Sequence, residues 1–219
     1  MIIDENVQGY LRSLEPDLPE ELAEIENFGH LNEVPIIKKD AQQVLRFLIK
    51  DLKPKKILEV GTAIGFSASL MNYWSEGKCE ITTLEKVPEK IKLAKANFSK
   101  LKIADSVRLI EGDAAESLKA LVDSGEKFDF VFLDAAKAQY SVYLESIEQL
   151  LTKNGVLLTD NILQEGSVAQ SKFSVTRRDR TIHKRMREFI KSLFDNEAFN
   201  SMIIPIGDGM LLCKKNDND

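Results

Sequence analysis

The chain has 219 residues, which suits one compact domain and leaves little room for a second. Hydrophobic residues make up 43% and charged residues 30%, a composition typical of folded globular proteins and not of disordered chains. The longest apolar runs are strand-sized, whereas a membrane-spanning helix needs about 20 apolar residues, so we expect no membrane partner. The net charge of −5 disfavours non-specific coating of nucleic acid but allows a local basic patch.

The N-terminus and the cysteines together predict a cytoplasmic protein. Residues 1–6 lack the basic region and apolar core of a secretory signal. The two cysteines, Cys79 and Cys213, have no metal-ligand spacing and are too few for a disulfide framework. A reducing compartment therefore fits this sequence.

The first part of the chain has a helical pattern and predicts an extension over residues 1–33. Within it, residues 4–29 favour two short helices that are separated near Pro16 and Pro19. Pro35 favours an extended stretch, and residues 38–51 have the pattern of an amphipathic helix. We expect a single domain over 1–219, with its core at 34–214 and a frayed tail at 215–219.

From Lys55 onward, predicted strands alternate with predicted helices. The strands are expected at 56–60, 80–85, 107–111, 128–133, 155–159, 199–205 and 209–214. The helices are expected at 62–74, 88–101, 115–124, 140–150 and 177–194. This order predicts an α/β fold with a mostly parallel sheet of seven strands, helices on both faces and a C-terminal antiparallel hairpin. Ligands of such folds bind at the carboxyl ends of the strands.

Three motifs follow the first three strands. A glycine loop, Glu59-Val-Gly-Thr-Ala-Ile-Gly65, leads into a helix whose N-terminus favours an anion; alternatively it is only a tight turn. Glu85 can accept both hydroxyls of a ribose, or it is a solvated glutamate before the next helix. Asp113 either contacts an adenine amino group or caps the following helix. Neither a dinucleotide fingerprint nor a P-loop occurs, which disfavours a nicotinamide dehydrogenase.

A fourth motif places oxygen ligands at the ends of two strands that we expect to be neighbours. Asp134 lies in Leu133-Asp-Ala-Ala-Lys137, and Asp160 and Asn161 end Thr159-Asp-Asn161. Hard oxygen ligands without histidine or cysteine suit Mg²⁺, Mn²⁺ or Ca²⁺. The alternative is that both aspartates are helix caps or turn residues.

The glycine loop Glu59-Val-Gly-Thr-Ala-Ile-Gly-Phe-Ser67, together with Glu85 and Gly-Asp-Ala114, resembles the class I S-adenosylmethionine-dependent methyltransferases. The resemblance implies a Rossmann-like methyltransferase fold and S-adenosylmethionine as the cofactor. It also implies the following contacts: Glu59 and Gly61 with the methionine part, Ser67 with its carboxylate, Glu85 with the ribose, and Asp113 and Ala114 with the adenine.

On that core, the pair Leu-Asp-Ala-x-Lys and Thr-Asp-Asn resembles the metal-dependent catechol and caffeoyl-CoA O-methyltransferase family over residues 34–214. The resemblance implies Mg²⁺, replaceable by Mn²⁺ or Ca²⁺, on Asp134, Asp160 and Asn161. It further implies that Asp134 serves catalysis and borders the cofactor, that Lys137 is the general base, and that the protein is a homodimer. Many members that act on small molecules have aspartate where this chain has Ala136.

Five segments resemble more closely the bacterial tRNA 5-hydroxyuridine methyltransferases. This resemblance implies that the substrate is the anticodon region of tRNA, where 5-hydroxyuridine at the wobble position becomes 5-methoxyuridine. It also implies contact between Ile37 and the cofactor. The segments are Val34-Pro-Ile-Ile37, Gly61-Thr-Ala-Ile-Gly65, Asp134-Ala-Ala-Lys-Ala-Gln-Tyr140, Thr159-Asp-Asn-Ile162 and Pro205-Ile-Gly-Asp-Gly209.

A basic segment supports an RNA substrate independently of the resemblance. Between residues 172 and 187 seven basic residues face a single acidic one, Asp179, in a chain that is acidic overall. Arginine binds phosphate in a bidentate geometry, so a tRNA backbone could rest here; a solvated helix or a dimer contact is the alternative. The basic residues are Lys172, Arg177, Arg178, Arg180, Lys184, Arg185 and Arg187.

Some residues have simpler interpretations, and two further functions stay open. We expect His183 at the surface, and Tyr73 and Trp74 in the core. A methyltransferase for a small catechol or caffeoyl-type acceptor would have the same chemistry with another substrate. A non-catalytic RNA-binding protein could retain the fold, although the complete set of metal ligands and Lys137 argue against it.

Overall fold

The structure is a computed structural model that describes residues 5–164, 166–171 and 173–217. The end of the predicted tail, residues 218–219, lies outside the described residues. In the described part, seven strands form one sheet. This sheet confirms the predicted fold class.

The helices and strands follow the predicted alternation. The helices are α1 (Glu5–Ser13), α2 (Glu20–Leu31), α3 (Lys39–Leu52), α4 (Phe66–Trp74), α5 (Pro88–Lys100), α6 (Ala114–Asp123), α7 (Tyr140–Leu150) and α8 (Arg180–Asp195). The strands are β1 (Lys56–Val60), β2 (Glu80–Glu85), β3 (Val107–Glu111), β4 (Phe128–Leu133), β5 (Leu151–Thr159), β6 (Phe199–Ile204) and β7 (Met210–Lys215).

The strands lie in the order β3-β2-β1-β4-β5-β7-β6, which places the carboxyl ends of β1 and β4 side by side at the centre of the sheet. Strand β1 pairs in parallel with β2 on one side and with β4 on the other, so the chain reverses its winding direction between them. A crevice for ligands forms at such a switch point. Strand β5 pairs in parallel with β4, whereas β7 joins β5 in antiparallel orientation and pairs with β6.

Two hydrophobic clusters cover the two faces of the sheet, because the parallel strands are apolar on both sides. Residues of α2 to α5, such as Leu45 and Phe66, pack on one face together with Ile57 of β1. Residues of α6 to α8, such as Ile147 and Phe189, pack on the other face with Leu58. No helix in the described part of the chain is long and apolar enough to cross a membrane.

Salt bridges attach the N-terminal extension to α3. The guanidinium of Arg12 in α1 contacts both carboxylate oxygens of Asp40, at 3.0 and 3.1 Å. Arg46 of α3 reaches Glu15, which follows α1, at 2.9 Å. The extension therefore lies against α3.

Several boundaries and environments differ from the prediction. Helix α4 begins at Phe66 and not at residue 62 as predicted, because Gly65 has a left-handed φ of 81° and closes a turn before it. Helix α8 begins at Arg180, three residues after the predicted start. Tyr73 is half exposed, because it lies on the outer side of α4, whereas Trp74 is buried as expected. His183 is buried and not at the surface, because α8 packs that side against the loop after β5.

The turn after β1 approaches the end of β4 so closely that it needs glycine. A Cβ on Gly61 would lie 2.0 Å from the carbonyl oxygen of Asp134, and the residue has a φ of 107°. Any side chain here would push the two strand-end loops apart. The sequence indicated Gly61 as a site of close ligand approach, but the nearby backbone of Asp134 already requires a glycine at this position.

Gly61→Ala should destabilise the fold by more than its backbone strain alone. We expect the free energy of unfolding to fall by more than about 3 kcal/mol, since overpacking adds to the cost of a positive φ. The matched control is Gly77→Ala, which also has a positive φ, of 68°, but open space around its Cα. That control should cost about 1–2 kcal/mol in urea unfolding. Equal losses for the two variants would contradict the proposed close approach.

Candidate active site

A cavity of about 550 Å³ opens at the carboxyl edge of the sheet, between the ends of β1, β2 and β4. Its volume is within the range of small-molecule sites. The structure brings most of the predicted residues together in its wall and leaves Glu59, Asp113 and Asp160 outside it. The predicted residues that line the cavity are Ile37, Gly61, Ser67, Glu85, Ala114, Asp134, Lys137 and Asn161.

Glu59 lies fully buried beneath the cavity and holds its floor through hydroxyl groups. Ser67 donates a hydrogen bond to one carboxylate oxygen at 2.5 Å, and Thr83 donates to the other. Burial raises the pKa of Glu59 to about 7, although both hydroxyl contacts act in the opposite direction. The structure thus places Glu59 behind Ser67, which itself reaches the cavity.

Glu85 orders the loops around the cavity through backbone amides. One carboxylate oxygen accepts the N–H of Ala63 at 2.9 Å. The other accepts the N–H groups of Lys86 and Val87, at 2.9 and 3.0 Å. The side chain therefore clamps the glycine loop to the end of β2 while it borders the cavity, the position from which a ribose would be held.

Asp113 acts as a helix cap in this structure. It precedes α6, and its side chain accepts the N–H of Ala115 at 3.0 Å. Its carboxylate also pairs with Lys86 at 3.4 Å. The carboxylate is half exposed and lies outside the cavity wall. The structure thus shows the capping role, and the contact with an adenine amino group stays a prediction. Its neighbour Ala114 does line the cavity.

Asp134, Asp160 and Asn161 meet at the ends of β4 and β5, as predicted. The amide nitrogen of Asn161 lies 3.4 Å from a carboxylate oxygen of Asp134, and the Asn161 backbone N–H donates to Asp160 at 2.7 Å. Asn161 has a left-handed φ of 59°, which asparagine tolerates better than most residues. Asp134 and Asn161 line the cavity, whereas Asp160 is buried directly behind them.

Burial controls the protonation of both aspartates. It raises the pKa of Asp134 to about 6, against the opposing influence of Lys137 and Asn161. It raises the pKa of Asp160 to about 7, and the charge of Asp134 adds to that increase. A buried carboxylate, a partly buried one and an amide beside them form a hard-oxygen set that a divalent cation would stabilise. In residues 5–164, 166–171 and 173–217, no three His, Cys, Asp or Glu side chains cluster as metal ligands.

Sequence reasoning missed one acidic side chain of the site, Asp208. It comes from the turn between β6 and β7 and is only 7% exposed, and its carboxylate lies 3.5 Å from the Nζ of Lys137. The sequence treated this turn only as a hairpin signal and as part of a matching segment. The sequence signal that could have indicated Asp208 was an aspartate between two glycines, directly before the last predicted strand.

The turn that holds Asp208 is joined to the loop after β5. Ile162 donates its N–H to the carbonyl of Gly209 at 3.0 Å, and Leu163 donates to the carbonyl of Asp208 at 2.9 Å. A Cβ on Gly209 would lie 2.3 Å from the Leu163 side chain. The position of Asp208 relative to Asn161 is thus determined by backbone contacts.

The basic segment lies next to the 3-10 turn Lys137–Gln139, which carries the candidate base. Arg185 of α8 donates to the carbonyl oxygen of Ala138 in that turn, at 3.2 Å. Arg187 donates to the carbonyl of Val168 at 3.0 Å. Lys172 lies outside the described residues, and the remaining basic side chains are exposed: Arg177, Arg178, Arg180, Lys184, Arg185 and Arg187.

Glu59→Gln should remove a pH-dependent loss of stability. Because the folded state raises the pKa of Glu59 from 4.5 to about 7, the protonated carboxyl favours folding, and this contribution disappears as the pH rises between those values. The shift corresponds to about 3 kcal/mol. In urea unfolding of the cofactor-free protein, wild type should lose more stability between pH 4.5 and 8 than E59Q. Exposed Glu80→Gln in β2 should behave like wild type; parallel curves for E59Q and wild type would contradict this assignment.

Comparisons with known proteins agree with this geometry. A family model described as O-methyltransferase matches residues 12–216. Caffeoyl-CoA O-methyltransferase 1 of Eucalyptus globulus is 29% identical over 212 residues, which cover 92% of this chain and 82% of that protein.

Two solved structures are also similar. A putative caffeoyl-CoA O-methyltransferase from Staphylococcus aureus superposes with a TM-score of 0.89 and 30% identity, covering 97% of this chain and 100% of the other. The SAH-bound methyltransferase PaMTH1 of Podospora anserina reaches a TM-score of 0.86 at 27% identity, with coverages of 97% and 95%. Since the family model spans nearly the whole sequence, the chain belongs to the O-methyltransferase family.

Proposed function

We propose that this family member is a Mg²⁺-dependent, S-adenosylmethionine-dependent enzyme of the catechol and caffeoyl-CoA type whose acceptor is tRNA. The reaction converts 5-hydroxyuridine at the wobble position to 5-methoxyuridine. The observation that carries the choice of RNA is the contact between Arg185 and the carbonyl of Ala138, which joins the basic segment to the turn of Lys137. The homodimer implied by the resemblance stays a prediction.

The donor set of the cavity fits the cofactor and the cation. When bound, S-adenosylmethionine supplies the methyl group, and the cation acts as a Lewis acid that lowers the pKa of the acceptor hydroxyl. For the cation, Asp160 provides a buried carboxylate, Asp134 a partly buried one and Asn161 an amide oxygen. Glu85 and the glycine loop around Gly61 would hold the cofactor at the other side of the cavity.

Lys137 would accept the proton of the acceptor hydroxyl, and Asp208 would stabilise the charge that results on the lysine. The Nζ of Lys137 borders the cavity and can receive the hydroxyl proton. Asp208, 3.5 Å away and almost fully buried, stabilises the resulting ammonium group and restricts where the lysine points. Methyl transfer requires an in-line approach, so these residues contribute mainly through position.

A 5-hydroxyuracil base suits this arrangement because its 5-hydroxyl lies beside the 4-carbonyl. These two adjacent oxygens resemble the hydroxyl pair of a catechol, so the same cation site serves either acceptor. The acceptor must then be selected by contacts outside the cavity. Exposed arginines beside the Lys137 turn provide such contacts for the phosphates that flank the base.

A small-molecule acceptor is the second candidate. The Eucalyptus relative is named as a caffeoyl-CoA O-methyltransferase, and this favours a catechol-type substrate for the present chain as well. Under this alternative, the basic segment would be a solvated surface. The two candidates differ in acceptor and share the chemistry.

The deciding experiment is a methyl-transfer assay with two acceptors. Purified protein, S-adenosylmethionine and Mg²⁺ are combined with tRNA carrying 5-hydroxyuridine, or with a catechol, each with and without EDTA. We expect EDTA-sensitive formation of 5-methoxyuridine, measured by nucleoside mass spectrometry. Turnover of the catechol alone would overturn the tRNA assignment, and turnover that resists EDTA would overturn the cation.

Substitution of Asp134 and of Lys137 should affect activity in different ways. Asp134→Ala should abolish turnover by removing a cation ligand. Lys137→Ala should lower kcat by roughly a hundredfold or more, the usual contribution of a general base, with cofactor affinity nearly unchanged. Exposed Lys119→Ala in α6 is the matched control. Kinetics and calorimetric cofactor binding measure both effects; an equal loss of cofactor affinity in the two variants would contradict these roles.

A further inference from the structure

An exposed aromatic side chain lies within the basic segment. Phe173 is 76% exposed, and among the described residues of 166–193 it is the one large hydrophobic side chain on the surface. Burial of a phenylalanine in the core is the usual outcome of folding. Its position in the sequence between a lysine and a run of arginines suits a ligand with both an apolar face and negative charge.

The backbone around Phe173 is anchored on both sides. The side chain of Val175 is buried, and Arg180 donates to the Val175 carbonyl at 3.4 Å. Before Phe173, the ring of buried His183 lies 3.2 Å from the Gln170 carbonyl oxygen. The segment is thus attached to the first turns of α8, and α8 in turn contacts the Lys137 turn through Arg185.

The charges near Phe173 select an anionic ligand. Arg177, Arg178 and Arg180 follow within seven residues, and all three are exposed. Exposed aromatic rings combined with basic side chains are typical of single-stranded nucleic-acid surfaces, where bases stack on the rings and phosphates pair with the cations. An apolar protein partner would need a larger apolar patch than a single ring.

We propose that Phe173 stacks on a nucleobase of the anticodon loop that flanks the wobble nucleotide. This inference rests on the proposed function and deepens it. A base that enters the cavity leaves its neighbour without a stacking partner, at a cost of a few kcal/mol per unstacked step. The ring of Phe173 replaces the lost partner, and Arg177, Arg178 and Arg180 bind the adjoining phosphates.

The test uses an anticodon stem-loop RNA with 5-hydroxyuridine at the wobble position and 2-aminopurine at a flanking position. Stacking quenches 2-aminopurine fluorescence, so the signal reports the contact directly. Wild type should quench it on binding, Phe173→Ala should not, and Phe173→Trp should restore quenching. Phe194→Ala is the matched control, because Phe194 is a half-exposed phenylalanine at the far end of α8.

Kinetics provide the second readout. Phe173→Ala should raise the KM for the stem-loop roughly tenfold, as expected for one stacked base, with cofactor affinity unchanged. Phe173→Trp and Phe194→Ala should keep the wild-type KM. Unchanged quenching and KM in Phe173→Ala, while wild type methylates the RNA, would overturn the stacking role alone.

Failure of the proposed function would be visible in wild type itself. If wild type neither binds nor methylates the stem-loop, both the tRNA assignment and the stacking role are wrong. An anionic membrane is another ligand with an apolar part and negative charge, and vesicles with anionic lipid, added to wild type and to Phe173→Ala, test for it. Vesicle binding that depends on Phe173, without an effect of the substitution on RNA, would assign this surface to a membrane and overturn the inference.

Discussion

The active-site edge depends on the close approach of two backbones, that of Gly61 after β1 and that of Asp134 after β4. No side chain fits between them, since a Cβ on Gly61 would lie 2.0 Å from the Asp134 carbonyl oxygen. The glycine loop, which orders the cofactor side, and the Asp134 loop, which carries the candidate cation ligands, are therefore in direct contact. A displacement of either loop moves the other, so cofactor and acceptor positions are coupled by packing.

This edge also concentrates buried negative charge, and the structure compensates each carboxyl group differently. Glu59 is satisfied by the hydroxyls of Ser67 and Thr83. Asp208 pairs with Lys137. Asp134 and Asp160 have an amide and a backbone N–H between them, and the charge of Asp134 helps to raise the pKa of Asp160. A divalent cation bound here would offset that repulsion.

The sheet was predictable from the sequence because its strands are short apolar runs bounded by charged or turn residues; β1, β2, β3 and β4 have the expected bounds. Gly61, Glu85, Asp134 and Asn161 followed from the rule that ligand-binding loops come after the carboxyl ends of strands. Ile37, Ser67 and Lys137 followed only from the family resemblance. The role of Asp113 was not decided, because an aspartate before a helix fits a cap and a ligand equally well. Asp208 and His183 were missed for another reason: their partners, Lys137 and Gln170, are brought close only by tertiary packing.

Acceptor choice is the step that the shared chemistry of the cavity does not determine. A catechol and a 5-hydroxyuracil both present two adjacent oxygens, so the roles proposed for Asp134, Asn161 and Lys137 would be the same with either acceptor. The difference between the acceptors is what surrounds them: a nucleotide in tRNA brings flanking phosphates and bases. The net charge of −5 would repel that backbone over most of the surface, so the exposed arginines of α8, held against the Lys137 turn by Arg185, are where an RNA strand would bind and where selection between the acceptors would occur.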